Sequence, residues 1–419
     1  MRNSLFGTAA RAVAGFARIG VFLAIASRYG PAQFGRVSLA ITVMEIFRSF
    51  SECGLDTVAL RNLSQLRNRS ACSALLSRIV TLKLVAAALF YALALVVIKL
   101  LARDRSEIVL GAIASISLFS SNLVGAYISY HQSQLKMPAV FPCTIFAYGI
   151  YTIVAIGAIH SGSPLWLVLA LLPMVEALYS RTLMIKADML SELRCDFSGA
   201  SSLIKESLPL GIMSATIFLY LRLDNMLIFK FLGSAALGLY AASVRIIEPT
   251  LMVPGAFSTT LLSVMSARGA ERVGRRQLAS IVWQTMWPAY AFTGCVTASL
   301  LLGGEHLLLL FGPAYLAAYQ SLRILSFCLL VRTVNITVTA LINARGDYYL
   351  LARITTVNLL INFGLVILLL PRYGLAGAAM GALGTECWNM AAQAWYLFGT
   401  PGNPLSYGSD LVSLEPQCE

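Results

Sequence analysis

The sequence predicts an all-α integral membrane protein of about twelve membrane-spanning helices, arranged as two pseudo-symmetric six-helix bundles. Three observations predict it. The chain has 419 residues, of which 58% are hydrophobic and 12% charged, about half the charged fraction of an ordinary soluble domain. Its mean hydropathy is +0.76. Long apolar stretches recur from end to end, and no stretch between them is long enough to fold as a separate soluble domain.

A helix needs about 20 predominantly apolar residues to cross a bilayer. On that measure spans fall at 5–27, 35–60, 75–101, 108–130, 138–159, 164–186, 203–229, 235–265, 277–303, 316–343, 349–370 and 375–398. The first has a basic start and an Ala24-Ile25-Ala26 that mimics a cleavage site, but Arg11 and Arg18 interrupt its apolar run. It is therefore read as an uncleaved helix. The second and eighth are long enough to tilt or to project beyond the lipid. The expected organisation is an N-terminal bundle with a cytoplasmic linker over 1–200, a C-terminal bundle over 201–398, and a polar, acidic, disordered tail over 399–419.

Lys and Arg gather in alternate loops. Arg61, Arg67, Arg69 and Arg78, then Arg181, Lys186, Arg194 and Lys205, then Arg268, Arg272, Arg275 and Arg276 share one side; Arg28, Arg36, Lys99, Arg103, Arg105, Lys230 and Arg372 share the other. The excess places both termini in the cytoplasm. The net charge of +12 is thus spread over loops, which speaks against nucleic acid as a partner. Eight cysteines lie scattered without a CxxC pair, and there are three histidines, all near span ends. No metal, cofactor or catalytic constellation is expected from them. No GxxxxGK[ST] sequence is present for ATP use.

An internal repeat separates the two halves. YGPAQFGRVSLAITVMEIF (Tyr29–Phe47) aligns with LGSAALGLYAASVRIIEPT (Leu232–Thr250), so that Gly30 meets Gly233, Gly35 meets Gly238 and Glu45 meets Glu248. The same loop-then-helix pattern recurs at PRYGLAGAAMGAL (Pro371–Leu383), and Asn122 pairs with Asn335. A six-plus-six repeat is a common transporter design.

Charges inside the spans are the candidate functional residues, because each costs at least ~2.5–3.5 kcal/mol at bilayer depth. Glu45, Arg48, Glu52 and Asp56 recur at helical spacing on one face of the second span. Arg245 and Glu248 stand one turn apart in the eighth and can pair. Arg222 and Asp224 point to opposite sides of the seventh, near its end, where snorkelling or interfacial pairing is the simpler expectation. Arg18, Arg48 and Arg332 lie deep, where arginine faces a water-filled cavity or a partner. Two readings stay open for all of them: salt bridges that weld helices, Glu45 with Arg48 and Arg245 with Glu248, or contacts to a ligand.

DNMLIFKFLGSAALGLYAASVRIIEP (Asp224–Pro249) resembles the seventh-to-eighth helix junction of the polysaccharide transporters, the Wzx-type lipid-linked oligosaccharide flippases of the MOP superfamily. FLAIASRYGPAQFGRVSLA resembles that family's first junction, LLLLFGPAYLAAYQSLRIL its ninth-to-tenth and RYGLAGAAMGA its eleventh-to-twelfth. The resemblance implies a MATE-like architecture with a central cavity and alternating access, in a bacterial cytoplasmic membrane. It implies a cargo of sugars on a polyprenyl pyrophosphate, flipped from the inner to the outer leaflet during lipopolysaccharide, exopolysaccharide or capsule assembly. Polymerase and other glycan-assembly proteins are implied partners, with membrane lipids and H⁺ or Na⁺.

Arginine suits that cargo, since its fork of donors matches phosphate oxygens. Arg18, Arg48, Arg245, Arg332 and Arg222 are the expected cavity residues. Glu45, Glu52, Asp56, Asp224 and Glu248 are the expected counter-charges or ion-coupling sites. Multidrug exporters of the same superfamily share the architecture and form the alternative. A membrane-embedded polymerase or glycosyltransferase is a second alternative, although the external loops are short and Lys99–Glu107 carries no catalytic set.

Overall fold

The computed structural model describes residues 2–66, 68–188, 194–268 and 275–399. Beyond residue 399 the tail expected from the sequence lies outside the described residues. Every element among them is helical: α1 (Arg2–Glu52), α2 (Leu55–Gln65), α3 (Arg69–Leu101), α4 (Arg105–Ser115), α5 (Ser117–Ser133), α6 (Met137–His160), α7 (Leu165–Ala187), α8 (Ala200–Leu232), α9 (Ser234–Ile247), α10 (Met252–Arg268), α11 (Arg275–Leu309), α12 (Tyr319–Ala344) and α13 (Tyr348–Gly399), with 3-10 turns at Glu248–Leu251 and Pro313–Ala318. In lipid the backbone has no water to bond, so helices that satisfy their own N–H and C=O groups are the natural solution.

Ten helical stretches among the described residues are long and apolar enough to cross a membrane. Two of them, Phe6–Gln65 with 60 residues and Tyr348–Leu397 with 50, each hold two of the twelve predicted spans. At 1.5 Å per residue even the shorter reaches ~75 Å, more than twice a hydrocarbon core. Each contains a glycine outside helical geometry, Gly30 (φ 76°, ψ 177°) and Gly374 (φ 58°, ψ −137°). Gly233 (φ 88°, ψ −176°) ends α8 in the same way. These are the three glycines of the recurring loop-then-helix pattern, and a side chain resists that positive φ. The chain is a multi-pass membrane protein.

The second predicted span is not one helix. Cys53 (φ 46°) and Gly54 (φ 71°) turn left-handed between α1 and α2. A Cβ on Gly54 would overlap the Ser207 carbonyl oxygen, and one on Gly211 would overlap the backbone of Cys53. The break therefore lets α8 approach the corner, and it moves Asp56 off the face that carries Glu45. The eighth span is also interrupted, because Pro249 has no N–H for an α-helical bond and sits in the 3-10 turn between α9 and α10.

The chain divides into two compact units, Met1–Ala242 with Leu309–Leu316, and Ser243–Leu308 with Ala317–Glu419. In the first, α1 packs along α3, α4, α6 and α8, while α5 packs on α3 and α7. In the second, α12 packs on α10 and α13 around Leu261, Met265, Met286, Ala289 and Leu341. Phe146, Ile153 and Trp395 point outward, whereas Ser38, Thr42, Asn122, Glu176 and Glu386 are buried. That inversion fits a lipid solvent, where apolar burial gives little drive and interior hydroxyls and amides bond across helices.

Candidate functional site

Arg18 is the centre of the first unit's polar interior. Its Nη2 donates to Glu176 Oε1 at 3.0 Å and to Tyr148 OH at 3.3 Å. Glu176, on α7, is 3% exposed, and its other oxygen accepts from Ser120 Oγ on α5 at 3.0 Å. Glu45 and Arg48 lie within electrostatic reach of this pair. A second Arg18 nitrogen, Nε, is buried and has no acceptor among the described residues.

That arginine stands at the deep end of a chamber of about 330 Å³. Gly7, Ala10, Ala14 and Gly15 line it from α1, with Gln132, Thr144 and Tyr179 from the facing helices. Glycines and alanines on that α1 face leave the space beside them unfilled. From Gly7 to Arg18 the helix rises ~16 Å, so the cation sits well below the chamber's outer end. Arg18 supplies the only charge in this lining among the described residues.

The other expected residues are distributed in pairs. Glu45 Oε2 meets Arg222 Nε of α8 at 2.8 Å, with 13% and 12% of the side chains exposed. Arg222 is thus paired, but in the interior, a correction to the snorkelling or interfacial pairing expected near the helix end, because α8 continues to Leu232 and carries it inside the packing. Arg48 Nε lies 3.6 Å from Glu52 Oε1, one turn along α1. The expected Glu45–Arg48 weld is replaced by these two contacts; at three residues' spacing Arg48 finds its acceptor on the next turn. Asp224 is buried and accepts from Tyr240 OH at 3.3 Å.

Asp56 binds a cation that sequence reading passed over. Lys83 of α3 is fully buried, and its Nζ donates to Asp56 Oδ1 at 2.5 Å. Ser129 Oγ approaches the same oxygen at 3.4 Å. A Cβ on Gly125 would press on both Asp56 and Lys83, so that glycine makes the room for the pair. The signal was available: Lys83 is a lone charge in an apolar run, as are Glu176 and Glu386. Counting cations by loop passed over the lysine, and following the repeat passed over the two glutamates.

The second unit has a related arrangement. Glu386 on α13 is 3% exposed and receives Arg332 Nε at 2.7 Å and Asn335 Nδ2 at 2.7 Å, both from α12. Each unit therefore buries one glutamate bound by an arginine and by a polar side chain of a neighbouring helix. Arg245 Nη1 donates to Glu248 Oε2 at 3.2 Å, as the spacing predicts. Among the described residues no group of three or more His, Cys, Asp or Glu is placed to hold a metal.

A family described as "Polysaccharide biosynthesis protein" matches residues 29–318. The chain is 22% identical over 202 residues to the probable low-salt glycan biosynthesis flippase Agl15 of Haloferax volcanii; the aligned part covers 48% of this chain and 43% of that protein. Among solved structures, the lipid II flippase MurJ in its inward closed conformation superposes with a TM-score of 0.74 at 14% identity, covering 94% of this chain and 87% of that one. An outward-facing multidrug resistance MATE transporter of the MOP superfamily gives 0.67 at 14% identity, covering 94% and 93%. The fold is that of these MOP superfamily transporters.

Proposed function

From the premise that the chain belongs to the polysaccharide biosynthesis protein family, we propose that it flips a polyprenyl-pyrophosphate-linked oligosaccharide across a bacterial cytoplasmic membrane, from the inner to the outer leaflet, by alternating access. The observation that carries this reading is Arg18: the one charge in the chamber's lining among the described residues, held by a buried glutamate and keeping one buried donor unused. A guanidinium in that state offers a pyrophosphate oxygen a charge-assisted bond. The incoming anion competes with Glu176 for the same fork, and occupancy is thereby tied to the packing of α1 against α5 and α7.

Arg48 and Arg222 in the first unit, and Arg245 and Arg332 in the second, are proposed as further anion contacts, each already balanced by a carboxylate at rest. Glu45, Glu52, Asp56, Asp224 and Glu248 then serve as counter-charges, and H⁺ or Na⁺ loading on one of them supplies the coupling. Outward movement of an anion is also favoured by the membrane potential, by ~2.3 kcal/mol per charge per 100 mV. The fold's kinship with multidrug exporters supports a second reading, export of a small molecule. Cationic drugs fit it poorly, because among the described residues the lining offers them no carboxylate.

The test is direct. Full-length protein in proteoliposomes, loaded with a fluorescent polyprenyl-pyrophosphate oligosaccharide, should move the label to the leaflet where an impermeant quencher or glycosidase reaches it. Equal rates with and without protein, alongside transport of an anionic or neutral small molecule, would put the exporter in its place.

A further inference from the structure

Two cavities of the first unit share a wall. One is the Arg18 chamber. The other is a groove of about 260 Å³ between α6 and α7, lined by Pro142, Phe146, Ala147, Ile150 and Leu178 with Thr182 at one end. Tyr179 lines both. Its ring is buried, and its hydroxyl meets Thr144 Oγ1, a chamber residue, at 2.7 Å. A buried aromatic ring with this hydrogen bond therefore borders both a cavity that holds a cation and a groove lined mostly by apolar side chains.

The groove faces outward. Phe146 is 69% and Leu178 63% exposed, and on a multi-pass membrane protein such apolar surface meets lipid chains. Its α6 side includes the small Ala147 and Pro142, which sits inside that helix. Chamber and groove lie toward the same end of the bundle. Met137 and Gln132 mark that end of the chamber, and Cys143 and Thr182 that end of the groove. Beyond it the exposed Lys186 reaches the Ala139 carbonyl at 3.3 Å.

Resting on the flippase reading above, we infer that the α6–α7 groove receives the isoprenoid chain of the lipid whose pyrophosphate sits against Arg18. The match is chemical. The molecule required has one anionic end for the guanidinium and one apolar end for a groove without charge, joined across the Tyr179 wall. Pro142 to Ile150 rises ~12 Å along α6, enough for the first few isoprene units, while the rest of the chain stays among the bilayer lipids. Tyr179 and Thr144 then act as a latch: breaking their bond joins the two cavities and lets head and tail occupy them together.

Photolabelling tests this in full-length protein reconstituted in nanodiscs. Three probes carry a diazirine in the chain: a polyprenyl pyrophosphate, the matching polyprenol and a phosphatidylglycerol. The pyrophosphate probe should label peptides 142–150 and 175–182 at least fivefold above the other two. Ala147→Trp, which fills the groove, should remove that excess and slow flipping at least fivefold. Leu178→Trp, at an exposed position that tolerates bulk, should do the same in part. Arg18→Ala should bring groove labelling down to the polyprenol level. Equal labelling by all three probes would mean that the groove holds bulk lipid only. If both tryptophan variants label and flip like the parent while Arg18→Ala stops flipping, the groove assignment falls and the flippase reading stands. A parent protein that labels as expected yet flips nothing would keep the groove and remove that reading.

Discussion

Gly35 and Gly238 make reciprocal contacts at one helix crossing: a Cβ on Gly35 would overlap the Ser234 carbonyl oxygen, and a Cβ on Gly238 would overlap that of Pro31. The repeat aligns Gly35 with Gly238 and Pro31 with Ser234, so equivalent residues of the two halves meet head to head. Close backbone approach through small residues is how helices associate where lipid removes the hydrophobic drive. Gly35→Ala and Gly238→Ala should each cost about 1–3 kcal/mol, read as a lower melting temperature in detergent. Gly294→Ala, where a Cβ would meet nothing within 4 Å, should be neutral.

Arg18 and Glu176 separate a binding role from a structural one. Arg18→Ala leaves a buried carboxylate alone, which costs about 3–5 kcal/mol when a buried pair loses one member. Its loss of flipping therefore mixes two effects. The double variant Arg18→Met with Glu176→Gln removes both charges and should recover the melting temperature. It should still flip at least tenfold more slowly than the parent, per folded molecule. Arg18→Lys should fall between, because it keeps the charge and loses the fork. A double variant that flips at the parental rate would show the pair to be a weld.

Lys83 and Asp56 invite the same cycle with a different readout. Lys83→Met should destabilise markedly, and adding Asp56→Asn should restore most of the loss. If this pair couples transport to an ion gradient, the double variant will flip at a rate that ignores an imposed pH or Na⁺ gradient. Gly125→Ala, which crowds both side chains, should resemble Lys83→Met in stability. Glu45→Gln, which weakens the Arg222 contact, tests the rival coupling site by the same assay.

Orientation rests on the loop charges. Reporter fusions after Arg69 and Arg275 should score cytoplasmic, and fusions after Arg103 and His306 external. A result with all four on one side would overturn the alternation of spans.

Asp196, in the segment before α8, gives a pH dependence outside the membrane. Hydrogen bonds from Arg78 and Ser198 hold its carboxyl below the usual carboxylate range, at about 2, and the Arg78 bond is 2.8 Å long. Since the folded value lies below the unfolded one, the contact stabilises fully above about pH 4 and is lost as pH falls toward 2. Amide exchange of residues 194–199 should rise over that window in the parent. In Asp196→Asn it should already be raised at pH 5 and change little below it.

The apolar spans and the three junction glycines were legible because each is a local property. Transfer into lipid is decided over about 20 consecutive residues, and a positive φ is decided at one. The charges Arg18, Glu45, Arg48, Arg222 and Arg332 stood out for the same reason, as costly residues within apolar runs. Their partners did not. Arg18 and Glu176 are 158 residues apart in the chain, and Arg222 reaches Glu45 from a different helix. Nothing in the spacing of either helix selects those unions; the rotation and depth at which the helices pack decide them. The left-handed corner at Cys53–Gly54 is of the same kind, set by the approach of α8 at Gly211. Composition alone determined that this chain lives in a membrane and buries charge there. Which charges meet, and that one arginine keeps a donor unused at the bottom of a chamber, was decided only when the helices closed on one another, because a buried ion takes its partner from whatever the packing places within reach.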